Sequence, residues 1–322
     1  MSAIPSAARG GPGGPGGPDG ASADLTARFE FDHRLAGGRS LGRTGGKGPV
    51  GSVVYDGPVV WRALDTAAGT ATLRIERAGH TALVAAWGDG AEAATARVPA
   101  LLGADDDPAP LRPHHRVVAQ WMRRWSHWRL SRTGSVWEHI VPVVCGQKVP
   151  GAGAKRSWQG IIRRWGRPAP GPAPADLALV PTAETLGALA YHDFHRFDVE
   201  RRRAETIIGA ARRAAGLERA AAMEPAQARR LLQTVVGIGP WTASIVVLLC
   251  HGDPDSVVVG DYQIPNYVAW HLAGERTGDD DRMLELLAPY AGQRSRVQGF
   301  AKAAGAPPRH GARMPLPDLR GR

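Results

Sequence analysis

The residues best suited to chemistry lie in one run, Leu232 to Asp261, reading LQTVVGIGPWTASIVVLLCHGDPDSVVVGD. Asp261 ends it as an acid set behind three valines. A carboxylate there can counter a positive charge or take up a proton. Gly237-Ile238-Gly239 forms a turn, and Pro240 follows where a helix best tolerates proline, at its first position. The free N–H groups of such a helix start suit an anion. Asp253 and Asp255 share the loop before Asp261 and read as turn and capping residues.

Two helices must hold these groups. Leu231, Leu232 and Val235 recur at helical spacing before the turn, and Trp241, Ile245, Val246 and Leu249 after it. The spacing predicts a helical hairpin over 232–250, with Ile238 as the apolar plug that seats it.

The string VGIGPWTAS followed by VVVGDY resembles the helix-hairpin-helix DNA glycosylases, and among them most the bacterial 3-methyladenine DNA glycosylase II type. Gly237, Gly239, Trp241, Thr242, Ala243, Asp261 and Tyr262 carry the likeness. The resemblance implies hydrolysis of the N-glycosidic bond of a damaged base that has been flipped out of double-stranded DNA. Asp261 is then the catalytic carboxylate. Gly237, Ile238, Gly239 and Thr242 hold a DNA phosphate, with a monovalent cation allowed at the hairpin carbonyls and no metal on side chains. Trp241 and Tyr262 wall the base pocket. Ile245 stands where such enzymes carry an aromatic residue, and Gln293 where they often carry a tryptophan.

Gln147 and Lys148 match the Gly-Gln pair that leads into a DNA wedge. Gln147 is expected to contact the base opposite the target. Lys148 departs from the usual apolar wedge, and Val149 is the alternative. Bifunctional relatives carry a lysine nucleophile where Trp241 stands, so the resemblance implies a monofunctional enzyme without lyase activity. Alkylated purines are the expected substrates. The alternatives are deaminated or oxidised bases, a lyase working through Lys148 or Lys155, or a non-catalytic DNA-binding protein.

Composition agrees with a polyanionic partner. The 322 residues carry a formal net charge of +10, and neutralising phosphates releases counterions. Cys145 and Cys250 lie in apolar runs and read as buried thiols. Two cysteines also cannot ligate an iron–sulfur cluster, which takes four. No apolar run reaches membrane-spanning length, and the expectation is a cytoplasmic, nucleoid-associated monomer.

The chain divides into four parts, and the fold class expected is α+β. Residues 1–22 are Gly/Pro-rich and read as a disordered tail. Residues 23–104 read as a small antiparallel sheet with a helix over 91–102, interrupted by a basic loop between Gly37 and Lys47. Residues 112–305 read as an all-α core, with a proline-rich loop over 167–174. Within it Trp121, Trp125 and Trp128 fall on one face of a helix over 115–130, and His192 and His195 lack further ligands at metal spacing. Arg294, Arg296 and Lys302 mark a basic edge, and 306–322 is a loose basic tail.

Overall fold

Alternation of apolar and polar residues builds the first layer. The structure, a computed structural model, describes residues 6–9, 23–32, 35 and 51–308. The basic loop from Gly37 to Lys47 and residues 309–322 lie outside them, as does the rest of the N-terminal tail. Strands β1 (Ser6–Arg9), β2 (Leu25–Glu30), β3 (Val53–Asp56), β4 (Val59–Thr66), β5 (Gly69–Ala78) and β6 (Thr81–Trp87) form one antiparallel sheet in the order β1-β2-β6-β5-β4-β3. The tail expected to be disordered therefore contributes a strand, Ser6 standing opposite Arg28 and Arg9 opposite Leu25. Without it β2 would leave a row of backbone donors and acceptors open at the sheet edge.

Both faces of the sheet are covered. Phe29, Leu73, Ile75 and Val84 pack under α1 (Ala91–Ala96) and α2 (Val98–Leu101). The single helix expected over 91–102 is thus two, because Pro99 supplies no N–H and sits in the first turn of the second. Trp61, Ala63, Ala85 and Trp87 on the opposite face pack against Leu177 and Leu179 of the helical body.

That body contains α3 (Arg116–Arg124), α4 (Trp137–Cys145), α5 (Gly151–Trp165), α6 (Ala183–Gly187), α7 (Arg201–Ala211), α8 (Ala214–Glu218), α9 (Pro225–Leu232), α10 (Pro240–His251), α11 (Ile264–Ala273), α12 (Asp280–Leu287) and α13 (Arg294–Ala304). It is not all-α: β7 (Arg167–Pro168) pairs antiparallel with β8 (Ala178–Leu179) at the two ends of the proline-rich stretch.

Helix α10 divides the body into two cores. Ala243, Val246, Val247 and Cys250 face Ile140, Val144, Ile207 and Leu232. Trp241, Ile245 and Leu248 face Val118, Val268 and Phe300. Burial on both sides explains why α10 is apolar nearly all round.

Helix α3 stops at Arg124, so the three tryptophans do not share a helical face. They gather instead on Phe300 of α13, with ring centroids 6.2 Å away for Trp121, 5.4 Å for Trp125 and 4.9 Å for Trp128.

A buried ion pair ties the sheet to the body: Arg62 of β4 donates to both carboxylate oxygens of Glu138 in α4, at 2.6 and 2.7 Å. Burial alone would raise the Glu138 carboxyl, but Arg62 beside it holds it below the usual range. The neighbouring His139 is driven down to about 4 by burial. Cys145 and Cys250 are buried thiols pushed up to about 12 by burial, too high to react as thiolates. No helix among the described residues is long and apolar enough to cross a membrane.

Candidate active site

The turn between α9 and α10 uses its two glycines differently. Gly237 has φ +90°, and a Cβ there would fall 1.9 Å from Thr206 Oγ1 on α7. Conformation and crowding both demand glycine. Gly239 is extended, and nothing lies within 4 Å of where its Cβ would be. The space outside Gly239 is open to a close-approaching group from outside the chain. Ile238 is buried as the plug, while Val236 at the tip is 92% exposed. Pro240 opens α10, whose first N–H groups have no helical acceptor.

Two residues expected to touch DNA are turned inward. Gln147 Nε2 donates to Gly237 O at 2.9 Å and to Thr242 Oγ1 at 2.8 Å. Both amide hydrogens are spent, so Gln147 clamps the turn to the end of α4 and has no donor left for an opposite base. Thr242 is buried against that amide and offers DNA no hydroxyl. Lys148, next in the chain, is exposed and adopts φ +54°, a conformation unusual outside glycine. It projects at the rim, beside Val149 and Pro150.

Asp261 is held from three directions. Its Oδ1 accepts the N–H groups of Gln263 at 2.8 Å and Ile264 at 2.9 Å, capping α11. Its Oδ2 accepts the Trp241 indole N–H at 2.9 Å. Gly260, at φ +76°, turns the chain into this position and donates its N–H to Asp280 Oδ2 at 2.7 Å. The loop before it is clamped by Gln298 of α13, whose amide both accepts from Val258 N and donates to Val258 O, each at 3.0 Å. Three hydrogen bonds on one half-buried carboxylate fix its orientation before any ligand arrives.

These groups line a cleft of about 2250 Å³ between the sheet and the helical body. Trp241, Ile245 and Leu248 form one wall, at i, i+4 and i+7 of α10. Trp125, Trp128, Tyr267, Ser295 and Lys302 also line it. Tyr262 reaches the cleft but is 74% exposed, which makes it a rim residue rather than a wall. Gln293 is absent from the lining, contrary to expectation. It is buried, accepting from Arg296 Nε at 2.6 Å and donating to Asp107 O at 3.3 Å. Arg296, fully buried and paired with Asp106, needs that acceptor, so the amide is committed to the core. The basic edge expected here shrinks accordingly: Arg296 is internal and Arg294 pairs with Asp255.

Tyr267 and Gln298 line the cleft without having been singled out in the sequence, and Lys302, read there only as part of a basic edge, lines it too. Among the described residues, no group of three or more His, Cys, Asp or Glu is placed to hold a metal ion.

No protein-family model matches the sequence, and no curated protein matches it. Solved structures do match. The 3-methyladenine DNA-glycosylase from Archaeoglobus fulgidus superposes with a TM-score of 0.69 at 20% identity, covering 85% of this chain and 96% of that one. The fold is that of the helix-hairpin-helix DNA glycosylases. An 8-oxoguanine glycosylase/lyase from Clostridium acetobutylicum matches with a TM-score of 0.65 at 11% identity over 86% of this chain and 95% of that one. The 3-methyladenine DNA glycosylase of Schizosaccharomyces pombe, in complex with abasic DNA, gives 0.50 at 14% identity over 58% and 90%. Glycosylases named for both substrates thus share this architecture.

Proposed function

We propose that the protein is a monofunctional DNA glycosylase that hydrolyses the N-glycosidic bond of a damaged purine in double-stranded DNA. The observation that carries this reading is the Asp261 carboxylate, held by the Trp241 indole at 2.9 Å on the wall of a cleft whose rim bears the open Gly239 turn. A phosphate seated on the N–H groups at the start of α10 fixes the register of the strand without reading its sequence. The damaged nucleotide then swings into the cleft, which costs least for a base already poorly stacked or paired.

As the bond from C1′ to the base breaks, positive charge grows on the sugar. Asp261 supplies the fixed opposite charge and accepts a proton from the attacking water. Trp241 has no amine to attack C1′, so the strand is left intact at an abasic site. Lys148 at the rim serves as wedge or phosphate contact. A monovalent cation at the turn would find one lone pair left on the Gly237 carbonyl, which accepts from Gln147, and would neutralise phosphate charge. The working unit is a monomer, and its net charge of +10 favours DNA throughout.

Alkylated purines suit the indoles of Trp125, Trp128 and Trp241, since aromatic faces attract electron-poor rings. A second reading, a deaminated or oxidised purine, is favoured by Lys302 in the same cleft. The test is base release from damaged duplex, with the released bases separated by chromatography and the strands run on a denaturing gel. Free base with intact strands is the expected result. Borohydride trapping of the protein on DNA would overturn the monofunctional assignment, and DNA binding without any base release would leave a non-catalytic binder.

A further inference from the structure

Helix α13 brings a second polar surface into the cleft, and the reaction described above does not use it. Ser295 and Lys302 stand seven residues apart, with Gln298 and Gly299 between them, so all four share one helical face. All four line the cleft with Asp261. Gln298 is fully committed: its amide bonds Val258 N and Val258 O, and its Nε2 also lies 3.2 Å from Met283 Sδ. Ser295 and Lys302 are not committed. The Ser295 hydroxyl is buried and, among the described residues, has no hydrogen-bond partner. Among the described residues Lys302 Nζ has none either, although it lies within electrostatic reach of Asp261. Gly299 leaves the middle of this face without a side chain. This face of α13 thus brings an ammonium, with a buried hydroxyl on the same face, to a cleft that Trp125, Trp128 and Trp241 also line.

We infer that this face of α13 reads the flipped base, with Lys302 donating to an acceptor atom of that base, so that a neutral lesion is released in preference to a cationic one. The inference rests on the glycosylase reading and sharpens its substrate class. A purine alkylated at a ring nitrogen to give a cation leaves as a neutral molecule, needs no donor and is repelled by an ammonium. A neutral purine is different. When its bond to C1′ breaks, the electron pair goes to the base nitrogen, and the leaving group is an anion unless a proton reaches it. Lys302 can supply that proton to the base while the water oxygen bonds C1′ and the water's proton passes to Asp261. Asp261 then releases its proton to solvent while the lysine regains one from it, and the net change is one water consumed, one base released. Partial desolvation in the cleft lowers the pKa of the Lys302 ammonium and Asp261 opposes this, which makes the proton easier to give up.

The experiment uses the full chain on three probes: duplexes carrying one hypoxanthine, duplexes carrying one 8-oxoguanine, and randomly methylated DNA scored for 7-methylguanine. Wild type should release at least one neutral base faster than 7-methylguanine. Lys302→Met should slow that release about 100-fold, leave 7-methylguanine release equal or faster, and leave affinity for abasic duplex unchanged. Lys302→Arg should restore part of the loss by restoring a charged donor. The inference is overturned if wild type releases only 7-methylguanine, or if Lys302→Met slows both classes equally. It is also overturned if Lys302→Met abolishes a borohydride-trapped adduct, which would make the lysine a nucleophile instead. Release of no base by wild type would sink the glycosylase reading itself, a result distinct from each of these.

Discussion

The two walls of the cleft are finished to different degrees. On the α10 side the polar groups are spent: Asp261 takes three hydrogen bonds, the Trp241 indole gives one, and Gln147 gives two. On the α13 side Ser295 Oγ and Lys302 Nζ lack partners among the described residues. A group whose bonds are all made inside the protein is pre-oriented and acts through its fixed charge. A group left open gains its partner from whatever enters. On the proposed reading the first wall holds the fixed charge that bond breaking needs, and the second meets the base that leaves.

The turn that joins α9 to α10 gives the largest effect. Gly237→Ala puts a Cβ on top of Thr206 Oγ1 at φ +90°. It should destabilise the fold by about 4 kcal/mol or more, seen as a collapse of the thermal midpoint. If Gly237→Ala melts like wild type, the turn is not seated on α7 as described.

The far end of the cleft should respond to pH. His139 is held at about 4 by burial, below its unfolded value, so the unfolded chain binds a proton there that the folded chain refuses. Stability from this group is full above the unfolded pKa and is lost as pH falls from there towards about 4, on the order of 3 kcal/mol. His139→Gln should flatten that part of the curve in a denaturant titration across pH. Glu138, held low by Arg62 against burial, adds a loss at still lower pH.

Trp241→Phe keeps the ring and removes the donor to Asp261 Oδ2. A hydrogen bond to a charged group contributes about 2 kcal/mol, so kcat should fall about 30-fold with KM little changed. A KM effect alone would mean that Trp241 only packs against the base. The smallest effect belongs to Gly239→Ala, where a Cβ meets nothing. Its thermal midpoint should match wild type while the Kd for abasic duplex rises about tenfold, near 1.4 kcal/mol.

Sequence legibility follows the same division. Asp261, Trp241 and the turn lie within one stretch of chain, and the resemblance carried by that stretch grouped them. Helical periodicity also located α10 and its apolar plug. The α13 wall was misread because nothing local separates its residues. Arg296 and Lys302 read alike as a basic edge and Gln293 as a pocket residue, yet Gln293 is drawn into the core by a buried Arg296–Asp106 pair formed across most of the chain. Gln147 and Thr242 are turned inward for a related reason: each found its partner in the other. The N-terminal strand was hidden because Ser6–Arg9 has no alternation of its own and is specified by the open edge of β2.

The most direct measurement is single-turnover base release from damaged duplex by wild type and Asp261→Asn, with duplex affinity measured alongside. Asparagine keeps an oxygen that can cap α11, so the fold is retained while the charge is removed. The account predicts a loss of about 1000-fold or more in release with affinity within a few-fold of wild type. Release by Asp261→Asn at the wild-type rate would contradict it, because the carboxylate would then be a helix cap and nothing more.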